Sequence, residues 1–277
     1  MKRTKLRTTG MYVVLLLGAF FAVFPVFYML STAFKPISEV MGRSASNILP
    51  SHPTFEAFQA VFKNYPVGQY ILNSCWTAGA STLIAILFAT LAGYGFSRFQ
   101  FRGKGMMLLF ILATQMFPSV MLFIPYYKLL GTYHLSNTLT GLILVYTATV
   151  LPFCSWMMYG YVNGIPKDLD ETARIDGCGQ LRTFFQVVAP LTLPGILSTG
   201  IYAFVTSWNE YMFTALFTSS DMKKTLSVAI GQMAGFDSVM WNEVMAASAI
   251  SSLPLIVLFI FLQRYFISGM TAGSVKG

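Results

Sequence analysis

The sequence predicts an all-α polytopic membrane protein with six transmembrane helices, and three observations carry that prediction. The 277 residues are 55% hydrophobic, with a mean hydropathy of +0.63. Only 10% are charged, where a soluble domain carries about 25%. The apolar residues collect into runs that reach the roughly 20 residues a helix needs to cross a hydrocarbon core. The same composition excludes disordered, collagen-like and disulfide-scaffold classes. The three cysteines, Cys75, Cys154 and Cys178, lie in apolar runs or on an inner loop, so no disulfide framework is indicated. A net charge of +8 invites a nucleic-acid reading, but the basic residues are scattered along loops, where they serve orientation.

Taken in order, the first apolar run, 11–34, follows the basic segment MKRTKLRTTG. That pairing resembles a signal peptide, and Ser31 and Ala33 stand at cleavage-like spacing. The run is longer than the 7 to 15 residues of a signal h-region, so a retained helix is expected. The second run is 70–97. The third, 106–127, contains Pro118 and Pro125, which can kink a helix. The fourth is 139–161, the fifth is 193–217 with one acid inside, and the sixth is 244–263. All six belong to one transmembrane domain covering residues 1–277. With both termini inside, twelve of the eighteen Lys and Arg residues fall on the cytoplasmic side. That excess sets the orientation, with N- and C-termini cytoplasmic, in a cell (plasma or inner) membrane. The outer loops are 35–69, 128–138 and 218–243. The first is rich in turn residues, too short for a domain, and suited to a lid or docking surface. No internal repeat or low-complexity segment is evident.

The inner loop, 162–192, holds four of the ten acidic residues. Pro166 suits a first helical turn, and Asp168, Asp170 and Glu171 follow where carboxylates meet exposed amides and the positive end of the helix dipole. Leu169, Thr172 and Ala173 share one small face at i, i+3 and i+4. Gly177 is a natural terminator in the left-handed conformation. A second helix places Leu181, Phe184, Phe185 and Val188 on one stripe, and Pro190 is expected to stop it. Two readings remain open on residue physics: an amphipathic segment lying on lipid, or an acidic helix with small residues that docks into a protein pocket.

The spacing resembles the EAA loop of the permease subunits of binding-protein-dependent ABC importers, in particular the carbohydrate-uptake group that includes the maltose permeases. The family pattern is similar to L-x-E-A-A-x-x-D-G-A, then F, then L-P, then P. Here stand Leu169, Glu171, Thr172, Ala173, Asp176, Gly177 and Cys178, then Phe184, Ala189, Pro190 and Pro194. Thr172, Cys178 and Ala189 depart from the pattern by small or apolar exchanges, and Thr172 adds a hydroxyl at a close contact. Trp208, Asn209 and Glu210, the run Lys224, Thr225 and Leu226, and the ending QRYFISGMTAGSVKG are also similar, so the resemblance covers nearly the whole chain. It is closer to the maltose-G-like permease than to that protein's longer partner.

The resemblance implies a type I ABC importer permease that moves a sugar, an oligosaccharide by preference, by alternating access. Leu169, Glu171, Thr172, Ala173, Asp176, Gly177, Phe184 and Pro190 would couple it to an ATPase. Within that set Glu171 would make the charged contact, Ala173 allow close approach, Gly177 set the bend and Asp176 cap or brace it. The implied partners are a second permease in a heterodimer, two copies of a cytoplasmic ABC ATPase, an extracellular or periplasmic sugar-binding protein and the lipid bilayer, with no nucleic acid. No catalytic residue, metal or cofactor is expected on this chain, and ATP and magnesium would sit on the ATPase. In keeping with this, Gly103–Lys104 is followed by Gly105 and preceded at the fifth position by Arg98, which is no phosphate-binding loop. The tail 268–277 reads as a frayed end or, by the resemblance, as a segment reaching between ATPase subunits. Gln115, Asn209 and Glu210 are polar groups in the spans and so candidates for the translocation path, with interhelical or helix-end contacts as the plainer reading. An ATP-independent secondary transporter or channel is the alternative; it calls for paired charges or inverted repeats, which the sequence does not display.

Overall fold

A bilayer offers no water to backbone amides, so each spanning segment must satisfy its own N–H and C=O groups, as a helix does. The computed structural model, which describes residues 2–42, 47–235 and 239–272 and only the backbone of 2–7, 9 and 264–272, is helical throughout, with no strand among the described residues. In order the helices are α1 (Lys2–Ala33), α2 (Ile37–Val40), α3 (Glu56–Asn64), α4 (Val67–Arg98), α5 (Lys104–Thr114), α6 (Phe123–Thr132) and α7 (Leu139–Asn163). There follow α8 (Asp168–Ile175), α9 (Gln180–Thr183), a π-helical turn at Phe184–Val188, α10 (Ala189–Leu191), α11 (Leu193–Trp208), α12 (Met212–Phe217), α13 (Leu226–Met233) and α14 (Trp241–Ala272).

Among the described residues four helices are long and apolar enough to cross a membrane: Gly10–Ala33 within α1, α4, α7, and Trp241–Gln263 within α14. The third and fifth apolar runs are not single rods. The third breaks between α5 and the 3-10 turn Ser119–Leu122 that leads into α6, and the two halves meet at 96°. Pro118 sits at that break with φ −58° and ψ 127°, outside the helical region, whereas Pro125 falls in the first turn of α6, where its missing N–H costs no hydrogen bond. Of the two prolines, only Pro118 therefore marks a bend. The fifth run ends as a helix at Trp208 and resumes as α12, and at its inner end α11 meets the preceding segment Gln180–Leu191 at 74°. Six spans result if each bent pair counts as one. At the C-terminus α14 runs on to Ala272, so the part of the predicted frayed tail up to that residue is helical, and 273–277 lie outside the described residues.

The chain divides into two compact units. In the unit formed by Met1–Gly68 and Ala229–Leu253, the loop after α1 is held by polar contacts together with apolar packing. Lys35 is buried; its ammonium donates to the Asn47 carbonyl and lies 5.8 Å from the centre of the Tyr28 ring. The Lys35 carbonyl accepts from Asn242 Nδ2 at 3.3 Å, and the Glu39 carboxylate accepts from the Ser51 amide at 3.1 and 3.2 Å. The Phe34 ring packs 5.2 Å from both Phe55 and Phe58.

In the unit formed by Gln69–Val228 and Pro254–Gly277, α7 is the central rod. Gly93 of α4 lies against the Met158 backbone, and Gly195 of α11 lies against the Tyr161 ring. Glycine lets these helices close to backbone contact, the usual device where lipid supplies no hydrophobic drive between helices. Ala85, Ala89 and Tyr94 from α4, Val150, Cys154, Met158 and Val162 from α7, and Ala203 from α11 form one core cluster. Phe184 and Val188 join it from the π turn, so the core extends out of the spans into the loop between α7 and α11. A second cluster joins Leu130, Leu142, Val145 and Tyr146 to Phe213 and Phe217 of α12. Large apolar side chains such as Leu16, Phe21, Leu83 and Phe261 stay exposed, as hydrocarbon rather than water is their solvent.

Candidate functional site

The loop between α7 and α11 folds as two helical segments joined at a glycine corner. The first, α8, carries Asp168, Asp170 and Glu171 in its first turn, where they complement the unpaired amides and the helix dipole. It ends in a Schellman motif: the Cys178 amide bonds to the Ala173 carbonyl at 2.9 Å and the Gly177 amide to the Arg174 carbonyl at 3.0 Å. Gly177 occupies the left-handed region at φ 82°, a conformation that costs a residue bearing a Cβ about 1–2 kcal/mol. These two main-chain bonds close the corner. Asp176 is the C-cap of α8, the capping alternative of the two expected of it, and is exposed.

The face predicted from Leu169, Thr172 and Ala173 is split by the fold. Ala173 is buried within this chain, while Leu169 and Thr172 are exposed. Ala173 thus lets α8 approach its own protein, not a partner as expected. The extra hydroxyl of Thr172 donates back to the Asp168 carbonyl at 2.9 Å, which consumes it within the helix. The outward surface includes Leu169, Glu171, Thr172 and Ile175 beside the exposed Asp168 and Arg174, with Ile175 86% exposed. Ile175 is the most exposed apolar side chain of α8, and no sequence pattern singled it out.

The second segment also departs from the predicted stripe. Phe184 and Val188 are buried, whereas Leu181 and Phe185 are exposed at 73% and 62%. Phe184 and Val188, four residues apart, share the inward face, and Leu181 and Phe185, also four apart, share the outward one, so the buried stripe is narrower than predicted; a π turn spans Phe184–Val188. Pro190 does not stop the helix either. It sits in the first turn of α10, where no amide hydrogen bond is required of it, and the bend comes at Thr192. The Tyr94 and Phe184 rings, 4.9 Å apart, fasten this segment to α4.

One residue that hydropathy gave no reason to select joins three elements at this loop. Arg98, the last residue of α4, places Nη1 3.2 Å from the Val162 carbonyl and Nη2 3.2 Å from the Ile165 carbonyl. Its Nε lies 2.9 Å from Asp170 Oδ2, with both side chains more than nine-tenths buried. The Nε–Oδ2 alignment falls short of a hydrogen bond, so this contact is an ion pair, while the directed bonds run to the α7 end. The cation also meets the negative end of the α7 dipole.

The predicted path residues all stand at helix ends. Glu210 accepts from the Phe213 amide at 2.8 Å and the Thr214 amide at 3.1 Å, which caps α12. Asn209 is the exposed C-cap of α11, and its Nδ2 donates to the Val205 carbonyl at 2.9 Å. Gln115 is exposed at the C-cap of α5. The helix-end reading thus accounts for the bonds that Asn209 and Glu210 make, and no recorded contact joins either to Gln115. Among the described residues no cluster of His, Cys, Asp and Glu could hold a metal ion.

Residues 81–272, which include the whole loop, match the family described as "Binding-protein-dependent transport system inner membrane component". The chain is 33% identical over 255 residues to the sulfoquinovosyl glycerol transport system permease protein SmoH of Agrobacterium fabrum, covering 92% of this chain and 89% of that one. It is 33% identical over 267 residues to the trehalose/maltose transport system permease protein MalG of Thermococcus litoralis, covering 95% and 94%. A crystal structure of a bacterial ABC transporter involved in the import of the acidic polysaccharide alginate shares the fold at TM-score 0.79 and 22% identity, covering 94% of this chain and 97% of that one. With its loop geometry and a match over most of its length, the chain belongs to the family of binding-protein-dependent transport system inner membrane components.

Proposed function

We propose that the chain is the membrane-spanning permease subunit of an ATP-binding-cassette importer, moving a saccharide from an extracellular binding protein into the cytoplasm by alternating access. The observation that carries this reading is α8: a short acidic helix at a glycine corner, packed on its own protein through Ala173 and outwardly presenting Leu169, Glu171, Thr172 and Ile175. That surface suits a cleft on a separate ATPase. Gly177, Phe184 and Pro190 hold the segment behind it, and Asp176 lies beside the docking face.

Related proteins support the saccharide: the trehalose/maltose, sulfoquinovosyl glycerol and diacetylchitobiose permeases are each more than 30% identical to this chain over most of its length. An oligosaccharide is favoured over a monosaccharide by the same kinship. The importer is completed by a second permease, two copies of the ATPase holding ATP and magnesium, and a sugar-binding protein. This chain performs no hydrolysis. The excess of Lys and Arg on the segments that include α8 supports cytoplasmic N- and C-termini.

Coupling requires α8 to bind the ATPase differently in the inward- and outward-facing states, because a contact of equal strength in both shifts nothing. The test is reconstitution in proteoliposomes with the second permease, the ATPase and the binding protein. Sugar uptake is expected only with ATP, and ATP hydrolysis is expected to rise when the binding protein is loaded. Sugar flux through the chain without the ATPase would favour a secondary transporter or channel and overturn the proposal.

A further inference from the structure

The geometry points to Arg98 and Asp170 as the pivot that passes movement of α8 to the membrane helices α4 and α7. This rests on the reading of α8 as the docking helix and names the positioning residues behind it. Three features of the fold carry it.

First, α8 is slender and flanked by turns. Four residues, Gly164 to Lys167, connect it to α7, and Gly177 and Gly179 follow it. A helix of eight residues hung on such connections swings unless side chains tie it down. The apolar tie is Ala173, a single methyl group without directional preference. The ionic tie is Asp170, whose carboxylate is 2.9 Å from Arg98 Nε in the first turn of α8.

Second, the guanidinium belongs to three elements at once. Its stem ends α4, its two Nη groups bond the Val162 and Ile165 carbonyls at 3.2 Å where α7 runs out, and its Nε faces α8. A planar fork with fixed donor directions can hold those three in one plane, and the point charge of lysine cannot. Displacing α8 therefore loads the inner ends of α4 and α7 together.

Third, the pair is buried, with side chains 6% and 8% exposed. Water and salt do not screen such a pair as they would one at the surface. Neither residue contributes to the outward face of Leu169, Glu171 and Ile175, so docking and transmission reside on different side chains.

The experiment uses the complete importer in proteoliposomes and measures sugar moved per ATP hydrolysed, together with the amount of ATPase that co-purifies. Arg98→Lys and Asp170→Asn are expected to keep the ATPase bound and to lower the sugar-to-ATP ratio at least tenfold. Asp170→Glu, which keeps the charge, is expected to recover part of the ratio. Because a lone buried charge can prevent folding, the double variant Arg98→Met with Asp170→Leu replaces the pair with apolar side chains of similar length. It is expected to assemble and to be uncoupled to the same degree, and the two single losses are expected not to add.

A double variant that assembles with the wild-type ratio overturns the proposal. So does release of the ATPase from the Arg98→Lys or Asp170→Asn complexes, which would assign the pair to docking. A double variant that fails to assemble also overturns it, since the pair would then be needed for folding. Failure of the underlying reading appears elsewhere: the wild-type complex itself would show no uptake dependent on ATP.

Discussion

Replacing Gly93 with alanine tests whether α4 and α7 meet backbone to backbone. A Cβ built there would sit 2.7 Å from the Met158 carbonyl carbon, 2.8 Å from Met158 Cβ and 2.8 Å from the Tyr159 nitrogen. Ordinary contacts between carbon atoms lie at about 3.5–4.0 Å, so α4 would have to withdraw by about 1 Å. Two of the three opposing atoms are main chain and cannot rotate aside. Overpacking of this kind costs about 1–3 kcal/mol, while Gly to Ala in a helix interior returns about 0.5–1 kcal/mol. The clash therefore wins, with a net loss of about 1 kcal/mol, or about 2 if the helix backbone resists fully. Gly95 provides the internal control: it lies in the same helix, and a Cβ there meets nothing within 4 Å. Because both variants gain the same helix term, their difference is the clash alone, and thermal unfolding of the purified complex in detergent should place Gly93→Ala below Gly95→Ala by about 2–12 °C, on the usual scaling of about 2–4 °C per kcal/mol. Equal midpoints for the two variants would refute close packing of α4 on α7.

Gly177→Val should lose both sugar uptake and ATPase stimulation, since a β-branched residue at φ 82° strains the corner that positions α8; wild-type values for both would exclude a role for the bend. Ile175→Asp should weaken co-purification of the ATPase at least tenfold by placing a carboxylate where an apolar contact is expected, and undiminished recovery would move the docking face elsewhere. Glu210→Ala should lower thermal stability by about 1 kcal/mol through loss of the α12 cap while the complex still transports the same sugars; a changed sugar preference at unchanged stability would restore Glu210 to the path.

Much of the fold was legible because hydropathy is additive along the chain. The six apolar runs, the acidic inner loop and the terminator Gly177 depend on local composition and local backbone preference, and each was read from neighbours in sequence. Helix breaks were harder to read. Pro118 and Pro125 look alike in the sequence, yet only Pro118 marks the 96° break, because a proline costs nothing in a first turn and a hydrogen bond elsewhere. The positions from Leu181 to Val188 follow helical spacing, but only Phe184 and Val188 face the core, and Leu181 and Phe185 face outward. Helical spacing tells which residues share a face, while the neighbouring helices decide how wide a face they cover.

At the site the same division holds. The sequence by itself determined that a short acidic helix ends at Gly177, since dipole, charge and left-handed glycine all act within a few residues. Which of its faces turns outward was decided by tertiary structure: Ala173 is inward and Ile175 outward because the protein packs against one side of α8. The pairing of Arg98 with Asp170 was likewise decided there. Two charges from segments far apart in the chain meet only when α4, α7 and α8 converge, and Coulomb attraction depends on distance in space, not on separation along the sequence.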